Sequence, residues 1–216
     1  MEMQALRRLV REGEHHYLEF KRKANHPERI AREVVAFANA EGGTLLIGVD
    51  DDGEIYGTKT PEEDAFELTQ IFSQIIVPPM AFSLDHIPVD SKRRVLAFSI
   101  KESSEKPHFV KDDIKKTAYV RVRDMSVQAS REMRRLMWFR SRINKGVKFE
   151  FGDQEQSLLR HLEENTPITL TDAQRVLSVS RRKTSDLLVT LVRAGLLNIS
   201  PNEKEDHYSL KKGAFT

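Results

Sequence analysis

The sequence predicts an α+β fold in two parts, a mixed-sheet domain at residues 1–145 and a smaller α-rich domain at residues 152–212. First, 216 residues suit one medium domain and a small one. Second, runs with a two-residue apolar period alternate with runs of helical period through the first part. Third, the pattern changes from Asp153 onward to three short helices and a final strand pair.

The first part begins with a strand at residues 17–21, whose apolar and charged side chains alternate. Leu18 and Phe20 share one face of this strand, and Glu19 and Lys21 share the other. Such alternation is typical of a strand with one face on the core and one face in solvent. Glu19 and Lys21 should therefore project together from the sheet.

Turn residues and helical spacing define the other elements of the first part. Proline at a first helical position and a glycine pair after the last turn bound the first helix, and paired prolines stop the next one. A short polar connection predicts antiparallel pairing of two later strands. The predicted helices run from Pro27 to the glycines at 42–43, from Ala65 to Val77 and from Met133 to Ile143, and the predicted strands are residues 44–50, 54–56, 81–89, 94–101 and 118–123.

The second part contains three helices followed by a hairpin. The third helix starts after Ser180, a good N-cap, and ends at Gly195. Residues 196–199 and 207–210 form the strand pair. This order is typical of a winged helix, whose third helix usually enters the DNA major groove.

Composition excludes several classes of function. The absence of cysteine excludes disulfides, Cys-ligated zinc, Fe–S clusters and thiol nucleophiles. No apolar run approaches the roughly 20 residues that cross a bilayer, and the first residues do not resemble a signal peptide, so we expect a cytoplasmic chain without membrane association. The sequence contains neither a P-loop nor a G-x-S-x-G elbow, and its seven histidines are scattered.

Basic side chains are concentrated locally, although the formal net charge is only +2. Residues 131–148 carry seven basic side chains and one acidic one, which indicates either a solvated helix face or a phosphate-facing surface. The seven are Arg131, Arg134, Arg135, Arg140, Arg142, Lys145 and Lys148. Alternation in residues 118–123 predicts an exposed basic strand face, and three cations begin the third helix of the second part. The candidate nucleic-acid-binding residues are Arg121, Arg123, Arg131, Arg134, Arg135, Arg181, Arg182 and Lys183.

One acidic constellation could carry chemistry: Glu14, Glu19 with Lys21, and Asp50. Several converging carboxylates can hold a divalent cation that activates water, and a lysine can stabilise the developing charge. Glu14 reaches Glu19 only if the chain bends between them. The alternative is a surface pair of Glu19 with Lys21 and an aspartate that forms a turn.

Three segments together resemble the Schlafen AlbA-like domain. They are GEHHYLEFK at 13–21, VVAFANAEGGTLLIGVDDDGEIYG at 34–57 and YVRVRDMS at 119–126. The resemblance covers about residues 1–145 and implies nucleic-acid binding on an α+β scaffold with a mixed sheet. Similar bacterial proteins often carry a C-terminal winged helix and are described as transcriptional regulators.

The same resemblance implies a nuclease centre as an alternative function. Animal Schlafen proteins that cleave tRNA and rRNA have an acidic triad in this motif region, which falls on Glu14, Glu19 and Asp50. Such a site would use these carboxylates and Lys21 with Mg²⁺ or Mn²⁺. Those nucleases combine two lobes in one chain, so a comparable groove here would need a homodimer.

Three hypotheses follow. The first is a homo-oligomeric, DNA-binding transcriptional regulator whose first domain adds phosphate contacts and dimerisation. The second is a metal-dependent ribonuclease, with RNA as substrate. The third is a protein-interaction adaptor, because residues 151–216 carry nine basic and nine acidic side chains and are neutral overall.

Overall fold

A computed structural model describes residues 1–142 and 151–212, so the predicted roles of Ile143, Lys145 and Lys148 lie outside the described residues. The chain divides into two compact units, Met1–Gln128 and Ala129–Thr216. Each unit contains helices and strands, and the predicted α+β class is confirmed. Within the described ranges, none of the helices is long and apolar enough to span a membrane.

The first unit contains two of the three helices predicted for residues 1–145 and most of the predicted strands, together with a helix at Met3–Glu12 that was not predicted. The expected strand at residues 54–56 is reduced to a single bridge between Val49 and Ile55. The helices are α1 (Met3–Glu12), α2 (Pro27–Asn39) and α3 (Pro61–Ile75), and the strands are β1 (Leu18–Lys21), β2 (Gly42–Ile47), β3 (Ile76–Val77), β4 (Phe82–Pro88), β5 (Arg94–Lys101), β6 (Phe109–Lys111), β7 (Lys116–Thr117), β8 (Tyr119–Val122) and β9 (Met125–Gln128).

The main sheet of this unit has the order β1-β2-β5-β4. Strand β1 lies at one edge and pairs with β2 in parallel, whereas β2 with β5 and β5 with β4 pair antiparallel. The predicted mixed sheet is therefore present, and so is the predicted antiparallel pairing of residues 81–89 with residues 94–101.

The two faces of this sheet are covered by different helices. Leu45 and Ile47 of β2 pack in the cluster that contains apolar residues of α2 and α3, whereas Leu46 packs in the cluster that contains Leu6 of α1. Leu18 and Phe20 of β1 also lie on the α1 side. Because successive side chains alternate, Glu19 and Lys21 are directed to the side of α2.

The second unit contains the predicted three helices and hairpin, together with α4 and a short strand. Its elements are α4 (Arg131–Arg142), α5 (Asp153–Glu164), β10 (Ile168–Thr169), α6 (Leu170–Leu177), α7 (Arg181–Arg193), β11 (Leu197–Ser200) and β12 (His207–Leu210). The strands form a sheet of order β10-β12-β11. Leucines of α5, α6 and α7 pack with Tyr208 of β12 in one core, and Ser180 caps α7 as expected.

Helix α4 belongs to the second unit, although the sequence analysis placed it in the first. Its Glu132 accepts a hydrogen bond from the hydroxyl of Ser185 on α7. Arg135 of α4 also forms an ion pair with Asp186 of α7, with 2.7 Å between Nη1 and Oδ1. The apolar spacing of α4 predicts a buried face but does not identify its partner, so the boundary near residue 145 differs from the observed one.

Candidate functional site

The loop before β1 bends and brings two of the three candidate carboxylates to one lysine. The backbone N–H of Phe20 donates to Oε1 of Glu14 at 2.7 Å, which folds the Glu14 side chain back onto the strand. Nζ of Lys21 lies 4.0 Å from the same Oε1 and donates to Oε1 of Glu19. The bend that the sequence analysis required between Glu14 and Glu19 is therefore present.

Arg121 is the second cation of this group, and it is buried. Its side chain is 0% exposed, with Nη1 placed 3.1 Å from Oε2 of Glu19 and 2.8 Å from Oε2 of Glu33. Nη2 donates to the carbonyl of His15 at 3.0 Å. The expectation that Arg121 lies on an exposed basic face and contacts nucleic acid is wrong, because this face of β8 packs against α2 and β1.

An aromatic ring supports the buried guanidinium. The guanidinium carbon of Arg121 lies 4.6 Å from the centroid of the Phe37 ring on α2. A Cβ atom placed on Gly43 would lie 2.3 Å from Cδ1 of the same ring, so this position accepts only glycine without rearrangement. Phe37 and Gly43 belong to the A-F-A-N-x-x-G-G motif at residues 36–43, and the missing side chain of Gly43 allows Phe37 to pack against Arg121 and β2.

The asparagine of this motif, Asn39, is buried and fully bonded. Its Nδ2 donates to the carbonyls of His108 and Tyr119, both at 2.9 Å, and its Oδ1 accepts from the backbone N–H of His108 at 2.7 Å. These bonds join the end of α2 to the chain that leads into β6 and to the start of β8. Asn39 therefore holds the strand that carries Arg121.

Burial and neighbouring charge shift the proton affinities of this group. Burial raises the pKa of Glu33, and the nearby Glu19 raises it further, although the hydroxyl of Ser126 and the charge of Arg121 oppose the shift. Burial likewise raises the pKa of Glu14. Burial disfavours the charged form of Lys21, but the hydrogen bond and charge of Glu19 outweigh it and raise the pKa of this ammonium.

Glu33 was not among the predicted site residues. It lies three residues after Ile30 and four before Phe37, both of which are buried. A carboxylate within the apolar stripe of a helix needs a buried partner. The position of Glu33 on that stripe was therefore the sequence signal that could have identified it.

Asp50 is not part of the group around Lys21. Its Oδ2 lies 3.0 Å from Nη1 of Arg22, whose guanidinium also lies 4.3 Å from the ring centroid of Tyr56. Across residues 1–142 and 151–212, no three acidic or histidine side chains are arranged to hold a metal ion. The carboxylates predicted to bind Mg²⁺ or Mn²⁺ face ammonium and guanidinium groups instead, so these residues do not fit a divalent cation.

The predicted cations at the start of α7 are exposed. Arg181, Arg182 and Lys183 follow the cap Ser180, and the first turn contains no acidic residue. Nη2 of Arg181 lies 3.5 Å from Oε1 of Glu205, so this arginine is partly engaged. These three side chains form the α7 basic cluster.

The remaining predicted basic residues differ in how accessible their side chains are to a phosphate group. Arg123 is exposed at the turn between β8 and β9, and Arg131 is exposed at the start of α4. Arg134 is half-buried and donates from Nε to the carbonyl of Ser130 at 3.3 Å. Arg135 is engaged by Asp186, so it is not a free phosphate ligand.

Comparisons with known proteins give a family match and several similar solved structures. Residues 14–130 match the family described as Schlafen, AlbA_2. The N-terminal domain of a RecG-related protein from Nitrosomonas europaea is 22% identical, with a TM-score of 0.45 over 58% of this chain and 92% of that one. The DIP2311 protein from Corynebacterium diphtheriae is 19% identical, with a TM-score of 0.42 over 85% of this chain and 33% of that one. None of the curated proteins matches.

The family match spans more than half of the chain, including β1 with Glu14 and Glu19, the A-F-A-N-x-x-G-G segment and the β8–β9 hairpin. Domains of this family commonly bind nucleic acids. The chain belongs to the Schlafen AlbA_2 family.

Proposed function

We propose that this chain is a nucleic-acid-binding protein of the transcriptional-regulator type, whose second unit contacts duplex DNA through the α7 basic cluster. The observation that carries the proposal is the exposure of three successive cations at the capped start of α7. Membership of a family whose domains commonly bind nucleic acids supports the same conclusion.

The order of elements in the second unit supports a winged-helix assignment. A helix, a short strand, two further helices and a hairpin follow one another, and the short strand β10 pairs with β12 of the hairpin. In such folds the third helix lies in the major groove, with its N-terminal residues toward the bases and phosphates. Here that helix is α7, and its N-terminal residues are the α7 basic cluster.

Charge and helix geometry favour anion binding at this end. The free N–H groups and the dipole of a helix N-terminus attract phosphate, and the α7 basic cluster adds three formal charges there. In the described part of the chain, the side chains of Arg182 and Lys183 make no hydrogen bond or ion pair within the protein. Arg181 must first leave Glu205, so we expect Arg182 and Lys183 to contribute more.

The hairpin of the second unit is not the main contact. Its connecting loop carries Glu203, Glu205 and Asp206 against a single Lys204, which makes it unfavourable for phosphate. Binding is therefore assigned to the helix end and not to the wing.

The first unit would supply further phosphate contacts and dimerisation. Arg123 is the exposed cation among its predicted contacts, because Arg121 is buried. A homodimer would present two α7 helices to two half-sites of a palindromic duplex, as symmetric regulators do. Light scattering of the free protein and of its DNA complex tests this stoichiometry.

The test of the proposed function uses fluorescence anisotropy to compare duplex binding by the unchanged chain, by a variant of the α7 basic cluster and by a control variant. The Arg182→Ala/Lys183→Ala variant should bind at least about tenfold more weakly, since hydrogen bonds to charged groups contribute roughly 1.5–3 kcal/mol. The Arg160→Ala variant is the matched control, because Arg160 is an exposed cation on α5 of the same unit. Equal affinity of the double variant and the control would contradict the proposal.

A further inference from the structure

A basic cavity lies in the first unit, apart from the group around Lys21. Its volume is about 460 Å³, within the usual range for small-molecule sites. Four cations from three separate segments line it: Arg22 and Lys23 after β1, Lys59 before α3, and Arg93 between β4 and β5. Residues that are distant in sequence thus bring positive charge to one concave surface.

Most hydrogen-bond donors of these cations remain available. Arg22 uses Nη1 for Asp50, and Arg93 uses Nε for Asp90 at 2.7 Å. Each guanidinium has five N–H donors, so both arginines keep several. The ammonium groups of Lys23 and Lys59 make no hydrogen bond or ion pair with the residues that the structure describes.

The acidic lining residue is already engaged. Asp64 accepts a hydrogen bond from the hydroxyl of Thr58 through Oδ2, and its Oδ1 lies 3.5 Å from the hydroxyl of Thr60. Asp64 therefore opposes an anion less than a free carboxylate would. The lining carries four formal positive charges and one negative charge, so the cavity favours anions.

Tyr56 is the aromatic residue that lines the cavity, and Arg22 covers one face of its ring, so that face cannot stack on a ligand. The guanidinium of Arg22 lies 4.3 Å from the ring centroid of Tyr56. Recognition would therefore depend on charge and N–H donors and not on a stacked base. Planar guanidinium groups and point-charged ammonium groups are the usual protein ligands of phosphate.

We propose that this cavity binds a phosphate group, carried either by a free phosphorylated small molecule or by a nucleic-acid backbone. The site lies in the first unit and uses no residue of the α7 basic cluster, so it can be tested separately from DNA binding by the second unit. It gives the AlbA_2 unit of this chain an anion site of its own, built from Arg22, Lys23, Lys59 and Arg93.

The test measures binding of inorganic pyrophosphate and of ATP by isothermal titration calorimetry, at low ionic strength and without metal ions. The Lys23→Gln/Lys59→Gln variant should bind at least about tenfold more weakly than the unchanged chain, because two charge-assisted contacts are lost. The matched control is Lys111→Gln/Lys115→Gln, which removes two cations from another cavity of the same unit that also contains Asp112 and Asp113.

A second arm measures a labelled DNA duplex with the same variants. A tenfold loss confined to pyrophosphate and ATP identifies a free ligand as the source of the phosphate, and a loss confined to DNA identifies the backbone. If the Lys23→Gln/Lys59→Gln variant matches the control in both arms, or if the unchanged chain binds none of the three probes, the proposal is overturned. The Arg182→Ala/Lys183→Ala variant should leave pyrophosphate binding unchanged, which separates this test from that of the proposed function.

Discussion

Arg121 of β8 and Glu33 of α2 form a buried ion pair, with 2.8 Å between Nη1 and Oε2. The same Nη1 lies 3.1 Å from Oε2 of Glu19 on β1, so one guanidinium joins three elements of the first unit. The acidic residues of the Schlafen-like motif therefore have internal counter-ions in this chain. This relationship gives the motif a structural role that can be tested separately from nucleic-acid binding.

Replacing Arg121 should strongly destabilise the first unit. Arg121→Met leaves Glu19 and Glu33 without their buried partner, which costs roughly 3–5 kcal/mol of unfolding free energy. Urea denaturation followed by circular dichroism measures this cost. Arg123→Met removes an exposed cation two residues away and should change stability by less than about 0.5 kcal/mol. Equal destabilisation by the two variants would show that the buried pair is unimportant.

Asn39→Asp should destabilise the chain more than its small change in shape suggests. The carboxylate would lose both donated hydrogen bonds and would face the carbonyl oxygens of His108 and Tyr119. Leaving these buried groups unpaired, with an added negative charge, costs about 2–4 kcal/mol. The midpoint of thermal unfolding measures the loss. A midpoint within one degree or so of the unchanged chain would contradict the assigned bonds.

The stability of the second unit should depend on pH through the titration of Asp206. Burial raises the pKa of this carboxyl above its ordinary value of 3.8, and the charge of Glu132 adds to the shift. The folded state therefore favours the protonated form, so this stabilising contribution is full below pH 3.8 and is lost as the pH rises through the raised pKa.

Asp206→Asn removes this titration, and the variant provides the measurement. The difference in urea midpoint between the unchanged chain and the variant should change from acidic to neutral pH, with the variant gaining relative stability as the pH rises. Other carboxylates titrate in both proteins and cancel in the difference. A difference that is constant across the range would mean that the pKa of Asp206 is the same in the folded and unfolded states.

Divalent cations should not stabilise the chain through the acidic residues near β1. Glu19 contacts Lys21 and Arg121, and Asp50 contacts Arg22, so a metal ion would have to displace three cations. Adding Mn²⁺ after chelator treatment should leave the thermal midpoint unchanged, and incubated tRNA should stay intact. A Mn²⁺-dependent rise in midpoint, as ligand linkage requires for a bound ion, that disappears in Glu19→Gln would reverse this conclusion.

Local pattern predicted much of the fold. Alternation placed Leu18 and Phe20 on the same side of β1, prolines marked the start of α2 and the end of α3, and Ser180 and Gly195 marked the two ends of α7, whereas Gly42 and Gly43 belong to β2 and not to the end of α2. Each of these signals depends on neighbours in the sequence, which is why it could be recognised without coordinates.

The candidate site was predicted less well, because its contacts join distant segments. Alternation in residues 118–123 placed Arg121 on the face opposite Val120 and Val122, but it could not show that α2 covers this face with Glu33. Asp50, predicted as the last residue of a strand, lies three residues beyond the end of β2, and Arg22 occupies its carboxylate. The packing of α4 against α7 was also not predicted, because it depends on a tertiary contact between Glu132 and Ser185.

The most direct test of nucleic-acid binding through α7 is the salt dependence of duplex affinity. The logarithm of the association constant should fall linearly with the logarithm of salt concentration, because each neutralised phosphate releases counter-ions. The Arg182→Ala/Lys183→Ala variant should have a slope smaller by about 1.8, or about 0.9 for each lost phosphate contact, whereas Arg160→Ala should retain the original slope. Identical slopes for all three proteins would contradict the account.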